Sequence, residues 1–510
     1  MQLIPTSFVV RAFAITLLCG LPIAPAAELS LASPFTDHMV LQRDLPVPIW
    51  GSAEPKATVE VTFGEQSKRA VADADGRWQA LLAPLAGTAE SAVLQVRSGN
   101  ARIERQDVVV GEVWICSGQS NMQMGRSAVA AFKGAEEDGL RSFEVKRSVA
   151  FEEQDRLSGE WKKGGPASAV AFGFALNLRK QLGEDIPVGI IHSSWGSTSI
   201  EAWMPRDMTN ALPYYATVLA EQDASKDTKT RIQAALDAGK WSGSDDVFMR
   251  RQSCIVYKAM MAPLVPYACR GLVWYQGERN TRYMSGMPDG PFFHRVAGIQ
   301  EYDETLLAWA KRYRQAWGRD DFRFMVVMLP GFGSVLSSGP SKDRDHPTAH
   351  TWAWMRESQM AILDLPHTAV VNTIDLGDVK YIHPKDKAPI GERLARLAAS
   401  DTLGKDIVSR CPTFQKLERN GNQLIVHFDH AAGLKTTDGN APAEFWICDK
   451  SGNRWSLATA TIEGARVVLQ AKNQPAPHHV RYAFTGKPAV NLINGAGLPA
   501  YPFRSDDFRP

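Results

Sequence analysis

A chain of 510 residues exceeds what one ordinary hydrophobic core supports, so about two to four domains are expected. Apolar residues at 44% and charged residues at 22% exclude a disordered chain. A net charge of +2, with no Lys/Arg cluster, leaves no electrostatic footprint for nucleic acid or an anionic membrane, so neither is expected as a partner.

The chain opens with Arg11, the apolar run Ala12 to Leu18 and the small residues Ala24-Pro25-Ala26-Ala27. This pattern predicts a secretory signal peptide over residues 1–27, and hence a secreted or periplasmic protein. The run is shorter than the ~20 apolar residues that span a bilayer. Beyond it, Cys116, Cys254, Cys269, Cys411 and Cys448 lack the paired spacing of zinc sites, so no metal and no cofactor is implied. An odd number leaves at least one thiol free in a monomer, and oligomeric state is not legible.

Residues 28–110 carry short runs such as Thr58-Val59-Glu60-Val61-Thr62-Phe63 and Ala92-Val93-Leu94-Gln95-Val96, separated by turn residues. The alternation predicts an N-terminal β-sandwich domain. From 111 to 403 strand-like and helix-like stretches alternate. Val113-Trp114-Ile115, Val188 to Ile191, Leu272-Val273-Trp274, Phe324 to Met328 and Ala369 to Thr373 read as buried strands. Leu306, Trp309, Ala310, Tyr313 and Trp317 fall on one face of a helix. The fold class is therefore α/β, with a mostly parallel sheet that carries its ligands at the strand C-terminal ends. The polar, helix-prone segment 206–250 reads as an insertion or lid. Alternating runs return over 404–510, as in Gln423 to Phe428 and Arg466 to Gln470, and predict a C-terminal β-sandwich domain.

Ser117-Gly118-Gln119-Ser120-Asn121-Met122 follows the strand at Val113-Trp114-Ile115 almost directly. Ser120 is thereby placed on a loop leaving a strand end, where a nucleophile meets substrate and backbone N–H groups, or where a serine caps the next helix. The string Gly111 to Met122 resembles the first block of the sialate O-acetylesterase family, a branch of the SGNH hydrolases. Ser193-Ser194-Trp195-Gly196-Ser197-Thr198 resembles its second block and Trp274-Tyr275-Gln276-Gly277-Glu278-Arg279-Asn280 its third. Ile382-His383-Pro384-Lys385-Asp386-Lys387, followed by Gly391-Glu392-Arg393-Leu394-Ala395, resembles the last. Met39 to Asp44, Asp75-Gly76-Arg77-Trp78 and Gly497 to Arg504 extend the likeness over most of the chain. Two departures stand out. Ser197 occupies the place of a second glycine, and Tyr381 that of an acidic residue before Ile-His-Pro.

The resemblance implies an SGNH-type hydrolase core and a serine carbohydrate O-acetylesterase acting on an acetylated sialic acid, while the leader pattern and near-neutral charge fit an acetylated plant hemicellulose equally well. Ester hydrolysis needs a nucleophile, a base and donors for the oxyanion. Ser120 and His383 supply the first two. The N–H groups of Ser120 and Gly196 and the side-chain amide of Gln276 are the expected donors, although Gln276 also reads as a structural amide. Asn280, Arg279 and Trp195 are the expected substrate contacts, with packing or ion pairing as their alternatives. His192, at a strand end beside the second block, is the rival base. Many SGNH hydrolases carry an aspartate three residues before the histidine, and here that residue is Lys380. Asp378 is the expected triad acid, with Asp375, Glu278 or a Ser-His dyad as alternatives. A lipase or thioesterase on the same residues, or a non-catalytic carbohydrate-binding protein, are the competing functions.

Overall fold

A computed structural model describes residues 28–286, 296–336 and 340–510, so the signal peptide expected at 1–27 lies outside the described residues. One strand organises the fold. Ala101–Gly118 runs for 18 residues, and every residue from Val108 to Gly118 is buried. Its first half pairs antiparallel with Thr88–Ser98, and Val40–Gln42 lies parallel to it through Val40 opposite Val109 and Gln42 opposite Gly111. Its second half is flanked in parallel by Val188–Ser194 and Gly271–Tyr275. The boundary read between residues 110 and 111 thus falls within a single strand.

Across the core the strand order is Trp161–Lys163, Leu140–Glu144, Val188–Ser194, Ala101–Gly118, Gly271–Tyr275, Arg323–Val327, Thr368–Val371. Every neighbouring pair is parallel except the antiparallel edge made by Trp161–Lys163. With the N-terminal strands this makes one 11-stranded mixed sheet in an α/β fold. All five strand stretches read from the sequence lie in it. Leu140–Glu144 is an addition, because Arg141 and Ser142 interrupt the apolar run that a strand buried on both faces normally shows.

Helices cover the sheet through the faces that their spacing dictates. Ile299–Trp317 buries Leu306, Trp309, Ala310, Tyr313 and Trp317, and the Trp309 ring lies 4.7 Å from that of Trp274 on the sheet. Ala169–Leu182 starts at Ser168, whose hydroxyl accepts the N–H of Ala171, and packs on Ala388–Leu403. A Cβ at Gly391 would stand 2.4 Å from the Gly173 carbonyl carbon, so these two helices touch backbone to backbone. Residues 206–250 form three short helices, Pro213–Ala224, Lys226–Ala238 and Gly243–Met249, after a turn of 3₁₀ helix.

Beyond residue 410 two four-stranded antiparallel sheets enclose a second core that includes Leu424, Val426, Phe445, Ile447, Val467 and Tyr482. All five described cysteines are buried free thiols, Cys254 and Cys269 included. No helix among the described residues is long and apolar enough to cross a membrane.

Glu112, on the long strand, is fully buried and fixes the N-terminal region to the core. Its carboxylate accepts from Arg43 Nε at 2.8 Å and from Arg270 Nε at 2.6 Å. Glu112→Ala leaves the Arg270 guanidinium without its ion-pair partner and Arg43 with Asp44 alone, and the expected loss is about 3–5 kcal/mol of stability by denaturant unfolding.

Candidate active site

The parallel strands end together, and the four sequence blocks meet at that edge. Gly118 ends the central strand at φ +141°, where a Cβ would lie 2.1 Å from the Tyr275 carbonyl oxygen, so only glycine lets the chain leave the sheet there. Two residues on, Ser120 opens the short helix Ser120–Gln123. His383 sits in the loop that precedes helix Ala388–Leu403, and its Nε2 lies 2.9 Å from Ser120 Oγ. That is hydrogen-bond reach for a nucleophile and its base. Both line an open cleft of about 600 Å³, whose walls also carry Arg250, Arg251, Arg279 and Arg282.

The support beneath this pair is a buried polar network centred on Asn121. Its Nδ2 donates to Glu278 Oε1 at 2.6 Å and to the Ile382 carbonyl at 3.2 Å, and its Oδ1 accepts from Lys387 Nζ at 2.7 Å. The bond to Ile382 ties down the residue before the histidine. Burial, against the pull of Asn121 and Lys387, pushes the Glu278 carboxyl up to about 7. Burial likewise brings Lys387 down to about 8, opposed by Glu278. His383 is held below the ordinary imidazole value by burial and then by the Lys387 charge, so it stays neutral and able to accept a proton at neutral pH.

Residues 110–265 match the family model described as carbohydrate esterase, sialic acid-specific acetylesterase. The human sialate O-acetylesterase is 28% identical over 524 residues, covering 92% of this chain and 91% of the relative, and the mouse enzyme is 26% identical over 525. A crystal structure of a carbohydrate acetylesterase from Xanthomonas citri is 31% identical, covers 94% of this chain and 100% of its own, and superposes with a TM-score of 0.77. The chain belongs to the sialic acid-specific acetylesterase family of carbohydrate esterases. It is a carbohydrate O-acetylesterase, and the family implies an acetylated carbohydrate as its substrate.

Several side chains expected at the site of this esterase are turned inward. Gln276 is fully buried, and its amide nitrogen donates to Asn280 Oδ1 at 2.9 Å, Gln119 Oε1 and the Thr198 carbonyl at 3.2 Å each, so it is a structural amide rather than an oxyanion donor. Asn280 is also fully buried, donating to Glu201 and to the Ala297 carbonyl, and does not contact the cleft. Trp195 has no exposed surface and stacks on Trp241 at 5.6 Å, which removes it as a sugar platform. Gly196 does stand beside Ser120, but its N–H donates to Gln123 Oε1 at 2.6 Å. Arg279 lines the cleft, its guanidinium brought down to about 10 by burial and by Arg251 and Arg282.

The structure places Asp378, the expected triad acid, in a turn of its own. Asp378 is exposed, and its carboxylate accepts the N–H groups of Lys380 at 2.7 Å and Tyr381 at 3.2 Å, a turn closed by its own side chain. Asp375 is taken by Arg393 in a two-point pair at 2.8 and 2.7 Å. Glu278 bonds Asn121, not His383. Among the described residues no carboxylate bonds His383 Nδ1, and no group of three His, Cys, Asp or Glu side chains is placed to hold a metal ion. Sequence reasoning left Asn121 and Lys387 without roles, although both lie in the quoted blocks.

Three outcomes follow from this arrangement. Asp378→Asn keeps more than about a tenth of normal turnover, whereas loss of a genuine triad acid costs up to about 10⁴-fold; initial rates of acetate release decide it. Because the lowered His383 keeps its base form below the ordinary histidine range near 6.5, kcat/KM stays level through neutral pH and falls only in more acid solution. Lys387→Met removes one of the two lowering causes, so the acid limb of the profile moves to higher pH.

Proposed function

We propose that this esterase removes acetyl groups from sugars that carry a carboxylate, using Ser120 and His383 as a dyad on an SGNH-type hydrolase unit of residues 111–403, in an exported protein. The leader pattern at residues 1–27 supports secretion or a periplasmic location. The 2.9 Å contact between His383 Nε2 and Ser120 Oγ, at the wall of an arginine-bearing cleft, is the observation that carries the chemistry. His383 takes the Ser120 proton as Oγ bonds the acetyl carbon, then returns it to the leaving sugar oxygen. Water repeats the sequence and releases acetate. The Ser120 N–H, first in its helix and without an intrahelical acceptor, is oriented for the oxyanion.

Arg251 and Arg282 on the cleft wall favour an acidic sugar over a neutral hemicellulose. Arg250 pairs with Asp246 at 3.2 Å, and Glu278, the carboxyl on the cleft wall, is pushed up to about 7. Arg251 is lowered by burial and then by Arg250 and Arg282, the mark of cations crowded together. A substrate carboxylate relieves that crowding, and one charge-assisted bond is worth about 1.5–3 kcal/mol, or roughly 10- to 100-fold in affinity. A neutral acetylated xylan has nothing for these groups to bind.

Acetate release from an acetylated sialoside and from an acetylated xylo-oligosaccharide tests the reading. The expected result is a kcat/KM at least about 10-fold higher on the sialoside, with Arg251→Gln erasing most of that preference through KM. Equal rates on both substrates overturn the acidic-sugar assignment. Ser120→Ala is expected to lose at least about 10³-fold on the preferred sugar, and near-normal turnover overturns the nucleophile.

A further inference from the structure

A second serine, histidine and carboxylate stand in line on the neighbouring strands. His192 and Glu144 face each other across parallel strands, and Ser194 follows His192 by two residues, so all three project from one face of the sheet. Glu144 Oε2 lies 2.6 Å from His192 Nδ1, and His192 Nε2 lies 2.7 Å from Ser194 Oγ. The carboxylate at Nδ1 fixes the tautomer in which Nε2 accepts the serine proton. Burial raises the Glu144 carboxyl, but the His192 bond and charge outweigh it and hold the group below its ordinary value, ionised as this role requires. That is the third group which His383 lacks.

These residues also face solvent-filled space. Ser194, His192 and Glu144 line an open cleft of about 810 Å³, together with Gln123, Arg147 and Trp241. Two residues of its wall carry side-chain N–H groups that bond no acceptor among the described residues. Trp241 Nε1 is buried without a hydrogen-bond partner, and the Gln123 amide oxygen is held by the Gly196 N–H while its NH₂ bonds no acceptor among the described residues. This cleft is distinct from that of Ser120, which shares none of its lining residues.

We propose that Ser194, His192 and Glu144 form a second nucleophilic centre, competent to cleave short acyl esters of polar alcohols independently of Ser120. Ser194 Oγ bonds the acyl carbon as its proton passes to His192 Nε2. The bond to the leaving alcohol breaks, and the alkoxide takes that proton. Water then gives a proton to His192 and its hydroxide to the acyl carbon, releasing the acid and restoring Ser194. No other co-reactant is needed.

The test is labelling by a fluorophosphonate, which modifies only activated serines, with the modified peptides mapped by mass spectrometry and heat-denatured protein as the blank. Label on Ser194 is expected in the unmutated protein and in Ser120→Ala, and Ser120→Ala is expected to retain hydrolysis of 4-nitrophenyl acetate that Ser120→Ala/Ser194→Ala loses. Glu144→Gln is expected to slow Ser194 labelling at least about 10-fold, with Ser120 in the same sample as the reference. Label confined to Ser120 overturns the second centre and leaves the proposed function standing. Label confined to Ser194 does the reverse, and label on neither overturns both. The unmutated protein answers the question even if Ser120→Ala does not fold.

Discussion

Asn121 makes its three hydrogen bonds to parts of the chain that sequence keeps far apart, and the reacting geometry hangs on them. Its partners are 157, 261 and 266 residues away: Glu278 beyond the neighbouring strand, the carbonyl before His383, and Lys387 at the mouth of the last helix. An amide in the interior satisfies both its donor and acceptor sides only when all of these segments arrive together. The histidine loop carries no regular secondary structure between Asp378 and Ala388, so this bond, the close Gly173 to Gly391 helix contact and the turn at Asp378 are what hold it. His383 is positioned from below by packing and from behind by hydrogen bonds, and among the described residues no acid bonds its second nitrogen.

The two serine and histidine pairs use the same sheet edge in different ways. In one, the imidazole is kept neutral by burial and a nearby ammonium, and its tautomer is not pinned by a carboxylate. In the other, cross-strand register alone brings a carboxylate to the ring, because residues opposite each other in a parallel ladder project side by side. The cationic cleft accompanies the first pair and the larger, tryptophan-walled cleft the second. Substrate selection and proton handling are therefore separable on this scaffold.

Much of the fold was legible because strands buried on both faces read as apolar runs, and all five such runs lie in the sheet. The contact between Ser120 and His383 was legible for another reason: chemistry restricts the roles of nucleophile and base to few residue types, and the blocks around these two residues are long. What failed was the direction of side chains. Gln276 and Asn280 stand four apart in one block, yet both point into the interior, and no local pattern distinguishes an amide that faces substrate from one that faces Glu201 or Thr198. Trp195 was ambiguous for the same reason. Asp378 attracted attention by its distance from His383, while its own turn had already claimed its carboxylate. Glu144 had no signal at all, since its strand is broken by Arg141 and Ser142 and its partner lies 48 residues on.

The long strand also sets a timetable. Its buried end is apolar from Val108 to Cys116 apart from Gly111 and Glu112, and it cannot be flanked on both sides until residue 275 exists, 157 residues after Gly118. At about 5–20 residues per second of synthesis that interval lasts roughly 8–30 s. During it this apolar segment is without its sheet, open to chaperones that hold nascent chains. Delayed closure of the sheet is thus a consequence of the same interleaved topology that later brings distant blocks to one edge.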